Sequence, residues 1–428
     1  MKESPYWLDT LGPAELASLN ADIHALPSRI DVAIIGGGYT GLSAARRLAM
    51  TGASVLVLER HQIGLGASSR NGGQVLSGLK LDASALVAAY GEARARGQFD
   101  ASRAAMASLE SVIAAEQISC EFERTGHLQA AWKPAHFDAF RREQSLLARV
   151  FDHRVELVSA ADQRSEIGSS SYCGLLIDES SCGVNPARYL CGLAVAARRR
   201  GACLAPGVPV LHLQRTNGRW RLTTSRGDLE ATEVLAATNG YTEPVTPSVQ
   251  RRLLPIGSYI IATAPMSPDE ARETLPKRRM AFDSRHFLFY FRLASDNRLI
   301  FGGRAEFSVS SPESTRRAAG ILSRGLRLVF PQLANKSIEY VWSGNVAFTR
   351  DQLPHAGKLD GMYFAGGYCG HGIAMATYLG DLIARRIAGE PIGDPFMNDD
   401  VPSIPLFGGR RWLLPLVGGY YRVLDWVR

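Results

Sequence analysis

The chain has 428 residues, of which 46% are hydrophobic, and it carries 48 basic against 41 acidic residues. This length and apolar content exclude intrinsic disorder and allow two closely joined domains around a large core. Only six basic residues are lysines, and the clusters Arg198-Arg199-Arg200 and Lys277-Arg278-Arg279 are short and lack interleaved aromatics, so the net charge of +7 reads as compositional rather than as a nucleic-acid footprint.

The opening Met1-Lys2-Glu3-Ser4-Pro5-Tyr6-Trp7 has no apolar core of a signal peptide, and no apolar run is long enough to span a bilayer. Six cysteines without a CxxC pair read as reduced thiols, and a cytoplasmic location is expected. The first strong element is an apolar strand at 30–35 that runs into Gly36-Gly37-Gly38-Tyr39-Thr40-Gly41 at GxGxxG spacing. In a dinucleotide site Gly36 makes the tight turn, Gly38 lets backbone N–H groups approach a pyrophosphate, and Gly41 lets the next helix pack on the strand. The unpaired N–H groups and positive dipole end of that helix then hold the anion. A second parallel strand is expected at 54–58, and Glu59 follows it as an acceptor for the ribose hydroxyls, which suits an adenosine ribose without a 2'-phosphate.

Directly after the ribose acid, Gly64-Leu65-Gly66-Ala67-Ser68-Ser69-Arg70-Asn71-Gly72-Gly73-Gln74 is rich in small residues and donors, as a loop approaching a flavin ring must be. The alanine-rich segment 86–116 suits a helix that leaves the nucleotide domain. Further helices are expected at 135–150 and 185–201, the latter with Pro186 in its first turn. Short strands follow from 208 to 238, with turns at Thr216-Asn217-Gly218 and Ser225-Arg226-Gly227. Segments 254–263, 287–293 and 298–303 read as a second, antiparallel sheet, with Asp296-Asn297 as a hairpin turn. Near the end, a strand at 361–367 runs into Gly366-Gly367-Tyr368-Cys369-Gly370-His371-Gly372 and a helix at 373–387. A helix starting there aims its positive end at the flavin edge that becomes negative on reduction, and His371 adds a donor or a packing group.

These motifs carry a resemblance. Asp31-Val32-Ala33-Ile34-Ile35-Gly36-Gly37-Gly38, Gly66 to Gln74, Ala237-Thr238-Asn239-Gly240 and Gly366 to Gly372 resemble the D-amino-acid oxidase superfamily of FAD enzymes, and the likeness continues through Tyr290-Phe291-Arg292-Leu293 and Trp342-Ser343-Gly344-Asn345. The resemblance implies an α/β fold in which a Rossmann-like FAD-binding domain of the glutathione-reductase type is interleaved with an α+β substrate domain on an antiparallel sheet. It divides the chain into FAD-binding parts at 26–85, 151–245 and 342–400, substrate parts at 86–150 and 246–341, and a tail at 401–428. FAD contacts are implied at Gly36, Gly38, Tyr39, Thr40, Gly41, Glu59 and Arg60; along the loop at Gly66, Ala67, Ser68, Arg70, Asn71, Gly72, Gly73 and Gln74; and at Val208, Ala237, Gly240, Gly344, Gly367, Gly370, His371 and Gly372. Catalytic or orienting roles fall to Gln74, Tyr259, Arg292, Arg304 and His371.

The implied reaction passes a hydride from a neutral amine to the flavin, leaving an imine that water hydrolyses, with oxygen or another acceptor taking the electrons. In amino-acid oxidases of the superfamily an arginine on the strand before the last glycine loop clamps the substrate carboxylate. The matching position here is Val346, which turns the expected substrate from simple α-amino acids towards an amine or an N-acylated diamine. If Arg350, Arg292 or Arg304 supplies a clamp from another direction, the substrate is instead a D-amino acid, glycine or an N-methyl amino acid. Sarcosine oxidases attach flavin to a cysteine in this region; 342–354 contains none, so noncovalent FAD is expected, with Cys369, close to the expected ring, as the alternative point of attachment.

No metal-ligand spacing, GxSxG elbow, P-loop or second GxGxxG for NAD(P)H is present, so electrons are expected from the organic substrate. A nucleotide-binding protein without turnover is the reading from another class, and it leaves the Gln74 and His371 loops without a purpose. The apolar tail from Trp412 to Trp426 admits a membrane-surface contact, but Pro415 and Gly418-Gly419 interrupt any helix and favour packing on protein.

Overall fold

The computed structural model describes residues 1–23, 25–303, 309–405 and 407–408. At the centre of its first sheet lies Arg29–Ile35, flanked on one side by Val55–Leu58 and Cys203–Ala205 and on the other by Gly227–Ala236, Met362–Gly366 and His355–Leu359. Every pairing in this row is parallel except the last, which is antiparallel. Successive side chains of a strand point to opposite faces, and here both faces are buried. Val32, Ile34, Val55 and Val57 enter one core, and Ile30, Ile35, Leu56 and Leu58 enter another. Helices Tyr39–Ala49, Pro186–Arg199 and Gly372–Ile387 fill the first core. The hairpin of Val210–Thr216 and Arg219–Thr224 contributes Trp220 and Leu222 to the second. It turns at Asn217 and Gly218, both with positive φ, as a tight hairpin requires.

The second sheet runs in the order Ile338–Phe348, Leu254–Thr263, Leu299–Gly303, Phe289–Leu293, Met280–Asp283, His127–Ala130, Gly174–Asp178, Glu156–Ser159. Helix Pro312–Val329 backs it, with Leu322, Leu326 and Val329 sharing a core with Tyr259, Ile261, Phe291 and Phe301. The expected element list lacks this helix, although its start is marked: Ser311 Oγ accepts the Ser314 N–H at 3.1 Å and Pro312 opens the first turn.

Three expectations change. The segment 86–116 is two helices, Ala83–Tyr90 and Glu92–Glu116, parted at Gly91 with φ of 75°. The second of these does not leave the nucleotide-binding part, because Ala95, Phe99, Ala105 and Leu109 lie in the same core as the helix after the glycine turn. Small side chains on that face let the helices approach closely. Strand pairing also moves two domain breaks. Glu156–Ser159 and Gly174–Asp178 join His127–Ala130 in the second sheet, which carries the break expected at 151 beyond Asp178. Ile338–Phe348 crosses the break expected at 342 and stays paired with Leu254–Thr263 to its end. A short strand's sheet is decided by partners far along the chain, which local pattern does not carry.

Among the described residues no helix is long and apolar enough to cross a membrane. The tail from Trp412 to Trp426 lies outside the described residues.

Candidate active site

The glycine turn is shaped by what surrounds it. Gly36 has φ of 110°, and a Cβ there would lie 2.9 Å from the Ala237 carbonyl oxygen at the end of the neighbouring strand. At Gly41 a Cβ would fall 2.0 Å from the carbonyl oxygen of Gly36, so the helix can seat against the turn only without a side chain. Glu59 Oε2 accepts the Gly37 N–H at 2.8 Å and Oε1 accepts the His61 N–H at 3.1 Å, which holds the carboxylate beside the turn. Arg60 pairs with Glu243 at the rim of the same cleft.

The loop from Gly64 to Gln74 is stitched to the second sheet. Arg70 donates from Nε to the Leu65 carbonyl at 2.7 Å and from Nη1 to the Ser343 carbonyl at 2.9 Å, while its own carbonyl accepts the Trp342 indole N–H at 3.0 Å. Ser68 Oγ accepts the Tyr39 N–H at 3.1 Å, tying the loop to the first helix turn. Asn71 Oδ1 accepts the Gly73 N–H at 2.9 Å. At the end of the loop Gln74 lines the cleft and donates from Nε2 to the carbonyls of Phe291 and Ala281 at 3.2 and 3.3 Å.

The third contribution comes from the C-terminal glycine loop. Tyr368 shares a 2.6 Å hydrogen bond with Thr40, and Asn239 Oδ1 accepts the Gly367 N–H at 2.9 Å, so three distant segments meet at one point. His371 stands at the start of helix Gly372–Ile387 and lines the cleft, and its Nδ1 has no hydrogen-bond partner among the described residues. Burial, with the Lys80 charge added, pushes its imidazole down to about 4, so it is neutral at physiological pH.

One cleft of about 1570 Å³ connects these segments. That exceeds the usual volume of a small-ligand pocket and leaves room for a dinucleotide and a substrate together. Its roof is apolar, with Val346, Leu254, Ile256 and Phe348 clustered beside Cys369. Farther along, Tyr290, Phe282 and Gln129 sit opposite one another on three neighbouring strands and line the chamber. Tyr290 lies flat across Gly302, whose missing side chain makes room for the ring, and its hydroxyl is 3.1 Å from Ser258 Oγ.

Of the residues expected here, Gly36, Gly38, Tyr39, Thr40, Glu59, Arg60, Gly66, Ala67, Ser68, Arg70, Asn71, Gly72 and Gln74 line the cleft, as do Ala237, Gly240, Gly344, Gly370, His371 and Gly372. Gly41, Gly73, Val208 and Gly367 stand behind its wall. Gly41 packs on the turn, Gly73 accepts a hydrogen bond from Arg292, Val208 gives its N–H to the Glu59 carbonyl at 2.8 Å, and Gly367 is held by Asn239.

Two catalytic expectations are corrected. Tyr259 is fully buried on the rear face of the second sheet, because on that strand it is Leu254, Ile256 and Ser258 that face the cleft. Arg292 is buried and donates from Nη1 to the carbonyls of Gly73 at 2.7 Å and Val184 at 3.0 Å, and from Nε to that of Leu293 at 3.2 Å, so it fastens the backbone and does not line the cleft. Arg304 lies outside the described residues. The expected site also lacked Tyr290, Phe282, Ser258 and Gln129. Tyr290 was within sight, two residues from Arg292 on the same strand face, in a motif already singled out.

The donor set fits FAD. Backbone N–H groups at a helix start, a carboxylate after the second strand, a small-residue loop and a second helix start converge on one cleft large enough for it. Fold and site define a flavin-dependent oxidoreductase, and residues 31–386 match the family model described as FAD dependent oxidoreductase, DAO; the chain belongs to that family. It is 33% identical over 401 residues to γ-glutamylputrescine oxidoreductase of Escherichia coli, covering 92% of each chain. It is 32% identical over 405 residues to a probable oxidoreductase, OrdL, of Haemophilus influenzae, again covering 92% of each. Among solved structures, glycine oxidase from Geobacillus kaustophilus superposes with a TM-score of 0.73 at 21% identity, covering 88% of this chain and 100% of that one. The protein is therefore an FAD-binding enzyme that oxidises amines or amino acids.

Proposed function

We propose that this enzyme oxidises the free amino end of an N-acylated diamine of the γ-glutamylputrescine kind. The observation that carries this reading is the roof: where an amino-acid oxidase of the superfamily presents a guanidinium to an α-carboxylate, this chain presents Val346 among Ile256, Leu254 and Phe348. Arg292, one of the alternative clamps, is committed to backbone carbonyls and does not line the cleft. The Escherichia coli relative named for that substrate supports the same choice.

Bound FAD supplies the hydride acceptor. The chain's own residues orient and desolvate the amine. Gln74 is fixed by two carbonyls, and Tyr290 and Phe282 present apolar ring surface on which an alkyl chain can lie. His371, held neutral by burial, does not repel the incoming ammonium, and its unpaired Nδ1 is left as a hydrogen-bonding group for the amine. Such oxidation depends more on orientation and on an unprotonated amine than on a strong base.

Anaerobic mixing with γ-glutamylputrescine is expected to bleach the flavin absorbance, while D-amino acids, glycine and sarcosine leave it unchanged. Bleaching by the amino acids alone would overturn the amine reading. Readmitting air then shows whether oxygen takes the electrons.

The FAD is further expected to be noncovalent. Acid precipitation should release yellow cofactor into the supernatant, because 342–354 contains no cysteine. Cys369 donates from Sγ to the Gly367 carbonyl at 3.1 Å, and burial pushes its thiol up to about 11, away from the nucleophilic thiolate. Colour retained in the pellet would contradict this.

A further inference from the structure

The family model matches from residue 31 onward, yet the residues before it pack against the loop from Gly64 to Gln74. Lys2 extends the edge of the second sheet, giving its N–H to the Glu339 carbonyl at 2.6 Å and accepting the Val341 N–H at 2.9 Å. Helix Tyr6–Asp9 follows, and helix Pro13–Leu19 after it. Leu8 and Leu19 reach Gly64, where the loop begins. Between the two helices, Thr10 accepts from Asn185 Nδ2 on its Oγ1 at 2.9 Å and from Arg188 Nη2 on its carbonyl at 2.8 Å, which ties the segment to helix Pro186–Arg199.

Trp7 meets the loop from behind, since it is 1% exposed and does not line the cleft. Its indole N–H donates to the Asn71 carbonyl at 2.9 Å, and no other donor reaches that carbonyl among the described residues. The Asn71 side chain is used up within the loop: Nδ2 donates to the carbonyls of Ala67 and Ser68 at 3.2 and 3.0 Å, and Oδ1 accepts the Gly73 N–H. The Gly73 carbonyl is held by Arg292, which also stands behind the wall, its guanidinium carbon 5.9 Å from the Trp7 ring centroid. One polar group at the tip of the loop is left over. The Gly72 N–H has no partner among the described residues, and both Asn71 and Gly72 line the cleft. In a trans peptide the carbonyl of one residue and the N–H of the next point in opposite directions. With the Asn71 carbonyl turned back to Trp7, the Gly72 N–H is turned to the cleft, where an unpaired backbone donor is an offer to a ligand.

We propose that Trp7 is a positioning residue for the cofactor: through the Asn71 carbonyl it fixes the 71–72 peptide, so that the Gly72 N–H is held as a donor to the flavin ring. Two glycines follow Asn71, and glycine accepts φ of either sign, so without an anchor this peptide can rotate. The indole bond removes that freedom before the cofactor arrives, which lowers the entropy lost on binding. The ADP half of FAD belongs to the Gly36 turn and Glu59, so the donor at Gly72 serves the ring half. The inference depends on FAD binding and not on which amine is oxidised.

The test compares wild-type protein with Trp7→Phe and with a protein carrying benzothienylalanine at position 7 alone, in which sulfur replaces the indole N–H in a ring of the same shape. Apoprotein of each is titrated with FAD and, separately, with ADP, which fills only the dinucleotide end. Loss of the aimed donor is expected to raise the FAD Kd about 10-fold in both variants, to leave the ADP Kd within about twofold, and to shift the visible absorption bands of the bound flavin. Tyr6→Phe is the control, because it removes from the same helix a hydroxyl that faces Asp296 and not the loop; it should leave both Kd values within about twofold. An FAD Kd unchanged in both position 7 variants would overturn the proposal. Equal weakening of FAD and ADP would mark a general loosening and overturn it too. Wild-type FAD affinity in the benzothienylalanine protein alone would assign the effect to ring packing, and unshifted bands would place the donor away from the ring; either result rejects the role given to the N–H. A Tyr6→Phe protein that loses FAD as readily as Trp7→Phe would do the same.

Discussion

Gly41→Ala protein is expected to bind FAD about 100-fold more weakly than wild type and to lose its yellow colour on gel filtration. The Cβ would lie 2.0 Å from the carbonyl oxygen of Gly36, and backbone on both sides of that contact has little room to move. Overpacking against backbone costs about 3 kcal/mol or more, and here relief comes only by lifting helix Tyr39–Ala49 off the turn that aims its N–H groups at the pyrophosphate. Titration of apoprotein with FAD, followed by quenching of flavin fluorescence, measures the change. Gly97→Ala is the matched control, since a Cβ at that helical position meets nothing within 4 Å, and it should leave FAD affinity unchanged and add slightly to stability. Wild-type affinity in Gly41→Ala would show that the helix does not need this close seat.

The second large effect is expected at Arg292. Arg292→Met should lower stability by about 3 kcal/mol or more, because it removes the guanidinium donors from the carbonyls of Val184 and Leu293 and leaves that of Gly73 with only the Val184 N–H. Those bonds join the flavin-contact loop to the Gln74–Val75 and Cys182–Gly183 strand pair, so FAD retention should weaken along with the fold. In whatever protein remains folded, KM for amines should stay within about twofold, since Arg292 does not line the cleft. Denaturant unfolding of the holoprotein and steady-state kinetics check the two halves. A stable variant with KM raised for carboxylate-bearing substrates would restore Arg292 as a substrate clamp.

The two positions show what kind of site residue a sequence reveals. Gly36, Gly38, Glu59, Gly72 and His371 all line the cleft, and the motifs that carry them were legible because a turn's geometry is written in the spacing of a few adjacent residues. Side chains that meet a substrate were less legible. On Leu254–Thr263 the choice between Ser258 and Tyr259 depends on which face of the strand is covered, and helix Pro312–Val329 covers the face bearing Tyr259. On Phe289–Leu293 both Tyr290 and Arg292 share the front face, yet only Tyr290 reaches the chamber, because Gly73 and Val184 fold across Arg292.

From the sequence alone followed the glycine turn, the acid after the second strand and the parallel strands around them. All of these are local, since each rests on a few neighbouring residues and on the rules of turns and strand pairing. Only the tertiary structure decided that Tyr259 and Arg292 stand away from the chamber, that Glu92–Glu116 packs in the same core as helix Tyr39–Ala49, and that Tyr290, Phe282 and Gln129 line one chamber. The reason is physical: a side chain's role in a site depends on what covers it, and the covering groups come from segments tens to hundreds of residues away.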